Sequence, residues 1–507
     1  MAEPTIGARM GAGLAAAAIS LGVTQFAAAF FSPAADARTA VGSTVIDLTP
    51  GPVKEWAIQT FGTADKTFLT VMVLVVIAVV AAVSAIWERS RIPLGSIAIG
   101  VLGLLGCLAV LSRTGARPAD VIPTVLGTVC GIAVLRLLTS AKIREPDPAD
   151  TPEPGRRRSL MTLGFLGAGA LSGVLGNVLT RQRHSVAGDR DSFALPQAAS
   201  PAPPVPPDAQ PAGTGMPSFI TPNDEFYRID TALSVPQISR TDWKLRIHGM
   251  VDKEITYTFS DLEQFEVLQR AVTLTCVSNP VGGNLISNAM WTGYRVRDLL
   301  QRSGVSPDAD MVLSTSVDGF TVGTPVQALT DDRDSLLAIG MNGVPLPVEH
   351  GYPARLVVPG LYGFVSATKW VVDLELTRFD RAEAYWTNLG WSAQAPIKTG
   401  SRIDVPRSGA RVSAGPVTVG GVAWAQHRGI KAVEVRIDDG PWQPATLGAG
   451  YSNDTWRLWT YEWQATPGSH TLTARATDNT GEPQTGDVSP PAPDGATGWP
   501  SISVQVD

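Results

Sequence analysis

The 507-residue chain contains only three cysteines and five histidines, and both scarcities limit the chemistry open to it. Cys107 and Cys130 lie in apolar segments near the N-terminus, so Cys276 is the only thiol after residue 130. A single thiol excludes a zinc or iron–sulfur site built from several cysteines in that part of the chain. No Cys-x-x-Cys-His motif is present, which excludes covalent attachment of a c-type haem.

Charge is scarce as well: charged residues make up 17% of the chain, and the net charge is −6. The lack of a basic excess argues against nucleic acid as a partner. The deficit of charge is concentrated in the first 180 residues, where five apolar segments follow one another. Five such segments predict helices that cross a lipid bilayer rather than a buried core. They run roughly over 10–31, 68–87, 92–111, 121–138 and 160–179.

Basic residues in the short loops predict the orientation of these helices. One set of loops carries eight of them and the other set five, so the positive-inside rule places the first set, with the N-terminus, in the cytoplasm. Five crossings then put everything after residue 180 outside the cytoplasmic membrane. The eight residues are Arg9, Arg89, Arg91, Lys142, Arg144, Arg156, Arg157 and Arg158.

The last three of these arginines precede a Gly-rich, mildly apolar stretch, a pattern typical of a twin-arginine export signal. The alternative is that they only mark the cytoplasmic end of a helix. No small-residue cleavage site follows Leu179, so we expect the segment to remain as a membrane anchor.

Composition divides the chain into four parts and predicts a multidomain fold. Residues 1–180 form the all-α membrane domain. Eight prolines between positions 196 and 217 predict a semi-extended linker over 181–217. Residues 218–400 mix helix and strand patterns without a regular βαβ repeat, which is typical of an α+β domain. From 401 to 507, short strands separated by turn residues predict an immunoglobulin-like β-sandwich.

Cys276 lies where an apolar run gives way to a Gly-rich loop. A lone thiol in such a place has three possible roles. It is a buried structural residue, a nucleophile paired with a histidine such as His350, or a metal ligand whose other partners come from a cofactor. The chemistry of the residue alone ranks the structural role first.

Four ordered stretches resemble the sulfite oxidase family of molybdopterin enzymes. Thr275–Gly283, followed by Trp291–Leu300, resembles the molybdenum-cysteine segment of that family. Pro222–Arg228, Gly340–Gly360 and the pair Lys369-Trp370 are similar to its pterin-contact segments. The tail resembles the C-terminal dimerisation domain of the family. The resemblance covers about residues 217 to 507.

This resemblance implies a molybdenum cofactor, two-electron oxygen-atom transfer and a set of residues that hold the cofactor. Cys276 is the implied protein ligand to molybdenum. An Arg fork and a Lys point charge suit the phosphate of a pterin. The implied cofactor-binding residues are Asn223, Phe226, Tyr227, Arg228, Asn279, His350, Arg355 and Lys369.

The chain departs from the family where the substrate is expected. Pro280-Val281 stand where sulfite oxidases carry an arginine, and Arg228-Ile-Asp-Thr stands in place of Val-Arg-Asn-His. Sulfite is a small dianion that needs a cationic pocket. We therefore expect a small sulfur or nitrogen oxide as substrate, with neutral oxides favoured. The alternatives are a sulfite dehydrogenase proper and a cofactor-free binding or scaffold protein on the same fold.

The sequence shows no redox group that could carry electrons to or from the cofactor. It has no haem-binding domain and no flavin or NAD fingerprint, and the five apolar segments contain no histidine for bis-His haem ligation. We expect an external electron partner, which is a cytochrome, a haem-containing membrane protein or quinone. The other expected partners are the oxygen-atom donor or acceptor, the lipid bilayer and a second copy in a homodimer.

Overall fold

The computed structural model describes residues 5–61, 65–89, 93–140, 156–211 and 215–507. These residues form two compact units. The first unit is Met1–Ser185 with Ala232–Val235, and the second is Val186–Thr231 with Pro236–Asp507.

The described part of the first unit is helical. Five of its helices are long and apolar enough to cross a membrane, in agreement with the five apolar segments: Ile6–Ala28, Lys66–Ile86, Leu94–Leu111, Pro118–Thr139 and Arg157–Asp191. Arg91, Ile92, Lys142 and Arg144, used for the predicted orientation and segment bounds, lie outside the described residues. The helices are α1 (Ile6–Ala28), α2 (Ala37–Leu48), α3 (Gly51–Phe61), α4 (Asp65–Ile86), α5 (Leu94–Leu111), α6 (Ile122–Thr139) and α7 (Arg156–His184).

Small residues let α1 pack closely against α6 and α7. A Cβ at Gly22 of α1 would collide with the backbone of Gly169 in α7, and one at Gly127 of α6 would collide with Thr24. Close approach of helices through glycine is typical of helix pairs in membranes, where apolar burial from water gives no driving force between helices.

The first part of the second unit is an α+β domain, as predicted. One of its sheets has the strand order β2-β1-β10-β5-β6, and the other has β3-β4-β7-β8 with β9 paired to β7. The elements are α8 (Ala187–Asp191), β1 (Lys244–Gly249), β2 (Ile255–Thr258), β3 (Val267–Thr275), β4 (Ile286–Arg295), α9 (Val296–Ser303), β5 (Met311–Ser316), β6 (Thr321–Pro325), α10 (Val326–Thr330), β7 (Leu336–Met341), β8 (Val344–Pro345), β9 (Arg355–Val357) and β10 (Val371–Thr377).

The C-terminal part is a two-sheet β-sandwich, which confirms the predicted immunoglobulin-like fold. One sheet has the order β11-β13-β17-β16 and the other β12-β19-β18-β14-β15. Val419 and Trp459 from the first sheet pack with Val435 and Leu472 from the second. The strands are β11 (Gly400–Val405), β12 (Arg411–Val412), β13 (Gly415–Trp424), β14 (Ile430–Ile437), β15 (Gln443–Pro444), β16 (Thr446–Leu447), β17 (Arg457–Ala465), β18 (Gly468–Asp478) and β19 (Ser501–Val506).

The proline-rich segment, expected to be a semi-extended tether over 181–217, is placed differently by the structure. Residues 186–231 belong to the second unit. Ala199 N–H donates to the Val267 carbonyl (3.0 Å), and the Tyr451 hydroxyl donates to the Pro203 carbonyl (2.7 Å). Ala209 is fully buried in the core. Proline removes an N–H donor, but its ring and carbonyl still pack, so the segment lies against the domain.

Candidate active site

Cys276 is the first residue of the loop between β3 and β4, and hydrogen bonds hold the two ends of this loop together. Cys276 N–H donates to the Leu285 carbonyl (3.0 Å), and Asn279 N–H donates to the Cys276 carbonyl (3.1 Å). The Asn279 side-chain oxygen accepts from Leu285 N–H (2.9 Å). The side-chain oxygen of Asn279 therefore holds the shape of the loop, and the thiol is fixed at its start with 9% of the residue exposed.

Burial raises the pKa of the Cys276 thiol. A nucleophilic cysteine needs a lowered pKa, usually from a neighbouring base. Over the described ranges, no hydrogen bond joins this thiol to His350, whose Nε2 lies 3.3 Å from the Asn223 carbonyl oxygen instead. These observations disfavour the thiol–histidine enzyme. A bound metal cation, in contrast, keeps a buried thiolate deprotonated.

His350 and Arg355 lie on the connection from β8 into β9, and Lys369 comes shortly before β10. Gly351, at φ +113°, makes their close approach possible. A Cβ at this glycine would stand 3.0 Å from the Arg355 Cβ and 3.2 Å from the Lys369 Cβ. Burial, with the charges of Arg355 and Lys369, lowers the pKa of His350 to about 3, so its imidazole is neutral.

Arg355 is a buried cation without an anion. Its guanidinium donates only to the backbone carbonyls of His350 (3.2 Å), Leu356 (3.3 Å) and Ala367 (3.4 Å), and it lies 5.1 Å from the Trp291 ring centroid. In the part of the chain that the structure describes, no carboxylate pairs with it. Burial lowers its pKa to about 10. An uncompensated buried charge is costly, so this geometry favours an anionic ligand.

Lys369 and Arg228 share one carboxylate, that of Asp230. Lys369 Nζ donates to Asp230 Oδ2 (2.8 Å) and to the Glu349 carbonyl (3.1 Å), and Arg228 Nε donates to the same Asp230 oxygen (2.9 Å). Burial lowers the pKa of Lys369 to about 8, although Asp230 opposes that shift. Three cations and one carboxylate leave this group, which we call the cationic cluster (Arg228, Asp230, Arg355, Lys369), with a net charge of 3 − 1 = +2.

Two aromatic residues of the early segment lie between the cluster and the thiol. The Phe226 ring meets His350 edge-on at 5.4 Å and stacks on Tyr227 at 5.3 Å. Burial raises the pKa of the Tyr227 phenol, and the charges of Cys276 and Arg355 both act on it. Tyr227 therefore connects the two ends of the site.

Hydrogen bonds and ring contacts link several of the predicted site residues, among them Asn223. Its side chain is engaged with Asn342 (2.8 Å) and Met341 (3.4 Å), while its carbonyl meets His350. Asn223 thus fixes the segment that carries Phe226 and Tyr227.

Sequence reasoning missed Asp230 and the anchoring role of α8. Asp230 lies in the stretch that departs from the family pattern, and its charge beside Arg228 was the available signal. Asp189 of α8 accepts from the Tyr352 hydroxyl (2.6 Å), and Arg190 donates to the carbonyls of Leu346 (2.8 Å) and Pro345 (2.9 Å). These bonds hold the segment that carries His350, and no local pattern predicts them.

A pocket adjoins the Cys276 loop on the side of the β-sandwich. Its cavity volume is about 30 Å³, and it is partly open to solvent. Among its described lining residues only Lys398 is charged, and Lys398 Nζ donates to Asp494 (2.9 Å) and to the Gly495 carbonyl (2.8 Å). The lining comprises Thr275, Asn279–Gly282, Tyr362, Lys398–Ser401, Trp424, Gln484, Thr485 and Ala496–Gly498.

No group of three or more His, Cys, Asp or Glu side chains could hold a metal ion within the described ranges. A metal at Cys276 would therefore take its other ligands from a cofactor. The residues present fit such a group: a single buried thiol at one end, and at the other a net positive cluster with one unpaired arginine, where a phosphate would be neutralised.

Comparison with known proteins identifies two domains. The model of the family described as oxidoreductase molybdopterin binding domain matches residues 232–386, and that of the bacterial Ig domain matches residues 401–474. Human mitochondrial sulfite oxidase is 28% identical over 289 residues, which are 48% of this chain and 52% of the human protein. The chain thus spans about half the length of the mammalian relatives it matches.

Two further matches come from bacteria. The sulfane dehydrogenase SoxCD from Paracoccus pantotrophus aligns with 55% of this chain and 76% of its own, at 26% identity and a TM-score of 0.47. YuiH of Bacillus subtilis (strain 168), an uncharacterized oxidoreductase, is 32% identical over 151 residues, which cover 30% of this chain and 73% of YuiH. The molybdopterin-domain match, the sulfite oxidase relatives and the match to YuiH show that the chain belongs to the sulfite oxidase family of molybdenum-cofactor-dependent oxidoreductases.

Proposed function

We propose that this protein transfers an oxygen atom to or from a small neutral sulfoxide or N-oxide, at a molybdenum atom bound by Cys276. The observation that carries the proposal is the pairing of a buried thiol with a cationic cluster of net charge +2 at the other end of the same site. A molybdopterin has a metal at one end and a phosphate at the other, so its two ends match the two ends of the site.

Each residue of the site has a role in this proposal. Arg355, Lys369 and Arg228 hold the phosphate, and the neutral imidazole of His350 hydrogen-bonds to the pterin. Phe226 and Tyr227 form the wall between phosphate and metal. Asn223 and Asn279 fix the two backbone segments that approach the cofactor. When bound, the cofactor supplies a metal centre that changes by two electrons per oxygen atom transferred.

The pocket beside Cys276 supports a neutral substrate. The pocket has no arginine among its described lining residues, and its lysine is already paired with Asp494. Arg228 is paired as well, with Asp230. Sulfite is a dianion, and the described lining residues of the pocket offer it no unpaired cation. This disfavours the sulfite dehydrogenase alternative.

The proposed location is outside the cytoplasmic membrane, with the five apolar helices as anchor and residues 156–158 as the start of a twin-arginine signal. We propose the same four divisions as the sequence indicated, with the linker residues lying against the catalytic domain. Electrons pass to or from an external cytochrome, membrane haem protein or quinone, and the β-sandwich supports a homodimer.

Metal analysis of full-length protein, matured in cells supplied with molybdate, tests the proposal. We expect about one molybdenum atom and one pterin phosphate per chain. Protein that is folded and exported but lacks molybdenum would instead support the cofactor-free scaffold.

A further inference from the structure

Tyr362 is held rigidly at the edge of the pocket. It precedes a short turn over Gly363–Val365, and its N–H donates to the Ala395 carbonyl (3.0 Å). Its carbonyl accepts from the Ser366 hydroxyl (2.9 Å). Only 4% of the residue is exposed, and its side chain lines the pocket. The position of its hydroxyl is therefore fixed by the surrounding backbone.

The Tyr362 hydroxyl accepts a hydrogen bond but donates none. Lys398 N–H donates to its oxygen at 3.5 Å. Across the residues that the structure describes, no acceptor receives the hydroxyl proton. Gly495, at φ +103°, gives the hydroxyl its space, because a Cβ there would lie 2.5 Å from the Tyr362 oxygen. A nearly buried donor without an acceptor is costly unless a ligand supplies one.

Three other hydroxyls that line the pocket donate to the protein. Ser401 donates to the Gln484 side-chain oxygen (2.8 Å) and Thr399 to Asp478 (3.3 Å). Thr497 donates to the Asp487 carbonyl (2.6 Å). The hydroxyl proton of Tyr362 is thus available to a bound molecule, whereas the hydroxyls of Ser401, Thr399 and Thr497 already donate to protein acceptors.

Tyr362 lies near the segment that carries the thiol, because a Cβ at Gly363, the next residue, would stand 3.8 Å from the Thr275 carbonyl oxygen. The charge of a Cys276 thiolate is close enough to act on Tyr362, and Thr275, next to Cys276, lines the same pocket. Burial raises the pKa of Tyr362 to about 12, so it remains a neutral donor at physiological pH. A molecule bound in this pocket therefore lies beside both Tyr362 and the loop that begins at Cys276.

We propose that Tyr362 donates a hydrogen bond to the oxygen of the bound sulfoxide or N-oxide and so positions that oxygen for transfer. This inference rests on the function proposed above. In the reductive direction the sulfur–oxygen or nitrogen–oxygen bond breaks, two electrons come from the external donor, two protons are taken up, and water leaves. Negative charge grows on the oxygen as its bond breaks, so the donor contributes more in the transition state than in the ground state.

The test compares Tyr362→Phe with Tyr294→Phe in the full-length, molybdenum-loaded enzyme. Both tyrosines are nearly fully buried, but Tyr294 does not line the pocket. Reduced viologen serves as electron donor, and dimethyl sulfoxide and trimethylamine N-oxide as substrates. Since one preorganised donor is worth about 10²–10³ in rate, we expect kcat/KM of Tyr362→Phe to fall at least about tenfold for both oxides. Tyr294→Phe should stay within about twofold, because a substitution away from such a contact has little effect.

Molybdenum content, pterin content and melting temperature separate this role from a structural one. Removal of a single oxygen leaves the ring packing in place, so all three should match the wild type. An unchanged kcat/KM in Tyr362→Phe would overturn the proposal, and so would loss of molybdenum, since Tyr362 would then be a cofactor contact. Wild-type enzyme that holds molybdenum but reduces neither oxide would refute the pocket assignment and leave the metal assignment standing. Absence of molybdenum from wild-type protein would overturn both.

Discussion

The cationic cluster and the pocket beside Cys276 differ in net charge: the cluster is positive and the pocket is neutral. The cluster has three cations for one carboxylate, and Arg355 has no carboxylate at all among the described residues. The pocket has one lysine, and that lysine is neutralised by Asp494. The region that we propose for the phosphate therefore has an excess of positive charge. In the region that we propose for the substrate, the one basic residue is paired with a carboxylate.

In our proposal, the cationic cluster binds the cofactor and the pocket binds the substrate. The total charge of the site does not reveal this division. An anion-binding region inside a redox enzyme suggests an anionic substrate, yet here the cofactor itself is the anion that the cluster fits. In the function that we propose, the substrate end selects by neutral hydrogen-bond donors and by shape. Changes in the cluster should then alter cofactor retention, and changes in the pocket should alter substrate choice.

Loss of the thiol should give the largest effect. In Cys276→Ser we expect activity to fall by more than about 10³-fold, because the thiolate donor to the metal is lost, while the pterin is retained by the intact cluster. Activity and pterin content measured on the same sample check this. Cys130→Ser, a change of another free cysteine, is the control. Full activity in the Cys276 variant is incompatible with a ligand role.

The second-largest effect should come from removal of Arg355, which has no carboxylate partner among the described residues. Arg355→Ala should lower molybdenum and pterin content about tenfold or more, since a charge-assisted phosphate contact disappears. Arg297→Ala is the control, because Arg297 pairs with Asp334 and lies outside the cluster. Cofactor content in the Arg355 variant equal to that of the wild type would contradict the assignment of the cluster to the phosphate.

A cation introduced into the pocket should change its selectivity. Val281 is 36% exposed on the pocket wall, so Val281→Arg can be accommodated. We expect sulfite to inhibit the variant about tenfold more tightly, because the dianion gains an ion pair, with little change in cofactor content. Val281→Gln is the neutral control. Equal sulfite inhibition in both variants would show that charge does not exclude the dianion.

The smallest effect should be a pH dependence in cofactor-free protein. The pKa of Lys369 is lowered to about 8, so the lysine is charged below that pH and becomes neutral above it. His350, with a pKa of about 3, stays neutral throughout. The stabilisation that added sulfate gives, measured as a rise in Tm, should therefore shrink a few-fold as pH rises through about 8. Lys369→Met should show no such step, and a rise in stabilisation with pH would count against the cluster as an anion site.

The sequence predicts the domain types well because each has a local signature. Long uncharged apolar runs require helices in lipid, and short strands with regular turns require a sandwich, whatever their neighbours are. The packing of the proline-rich segment against the domain has no such local signature. Proline content reports only that regular hydrogen bonding is interrupted, whereas burial of Ala209 depends on residues distant in sequence.

The same limit applies to the site. Ordered motifs single out Cys276, His350, Arg355 and Lys369, the residues that we propose to share one cofactor. The pairing of Asp230 with Lys369 joins residues 139 positions apart, so no local pattern encodes it. Tyr362 was missed because its significance comes from Gly495 and Lys398, which belong to the far wall of the pocket.

The most direct test of molybdenum ligation by Cys276 is X-ray absorption at the molybdenum edge. It compares wild-type and Cys276→Ser protein with equal metal content. Ligation by Cys276 predicts that the spectrum of the variant contains one sulfur ligand fewer at bonding distance, while the pterin sulfurs remain. The same number of sulfur ligands in both proteins would contradict it.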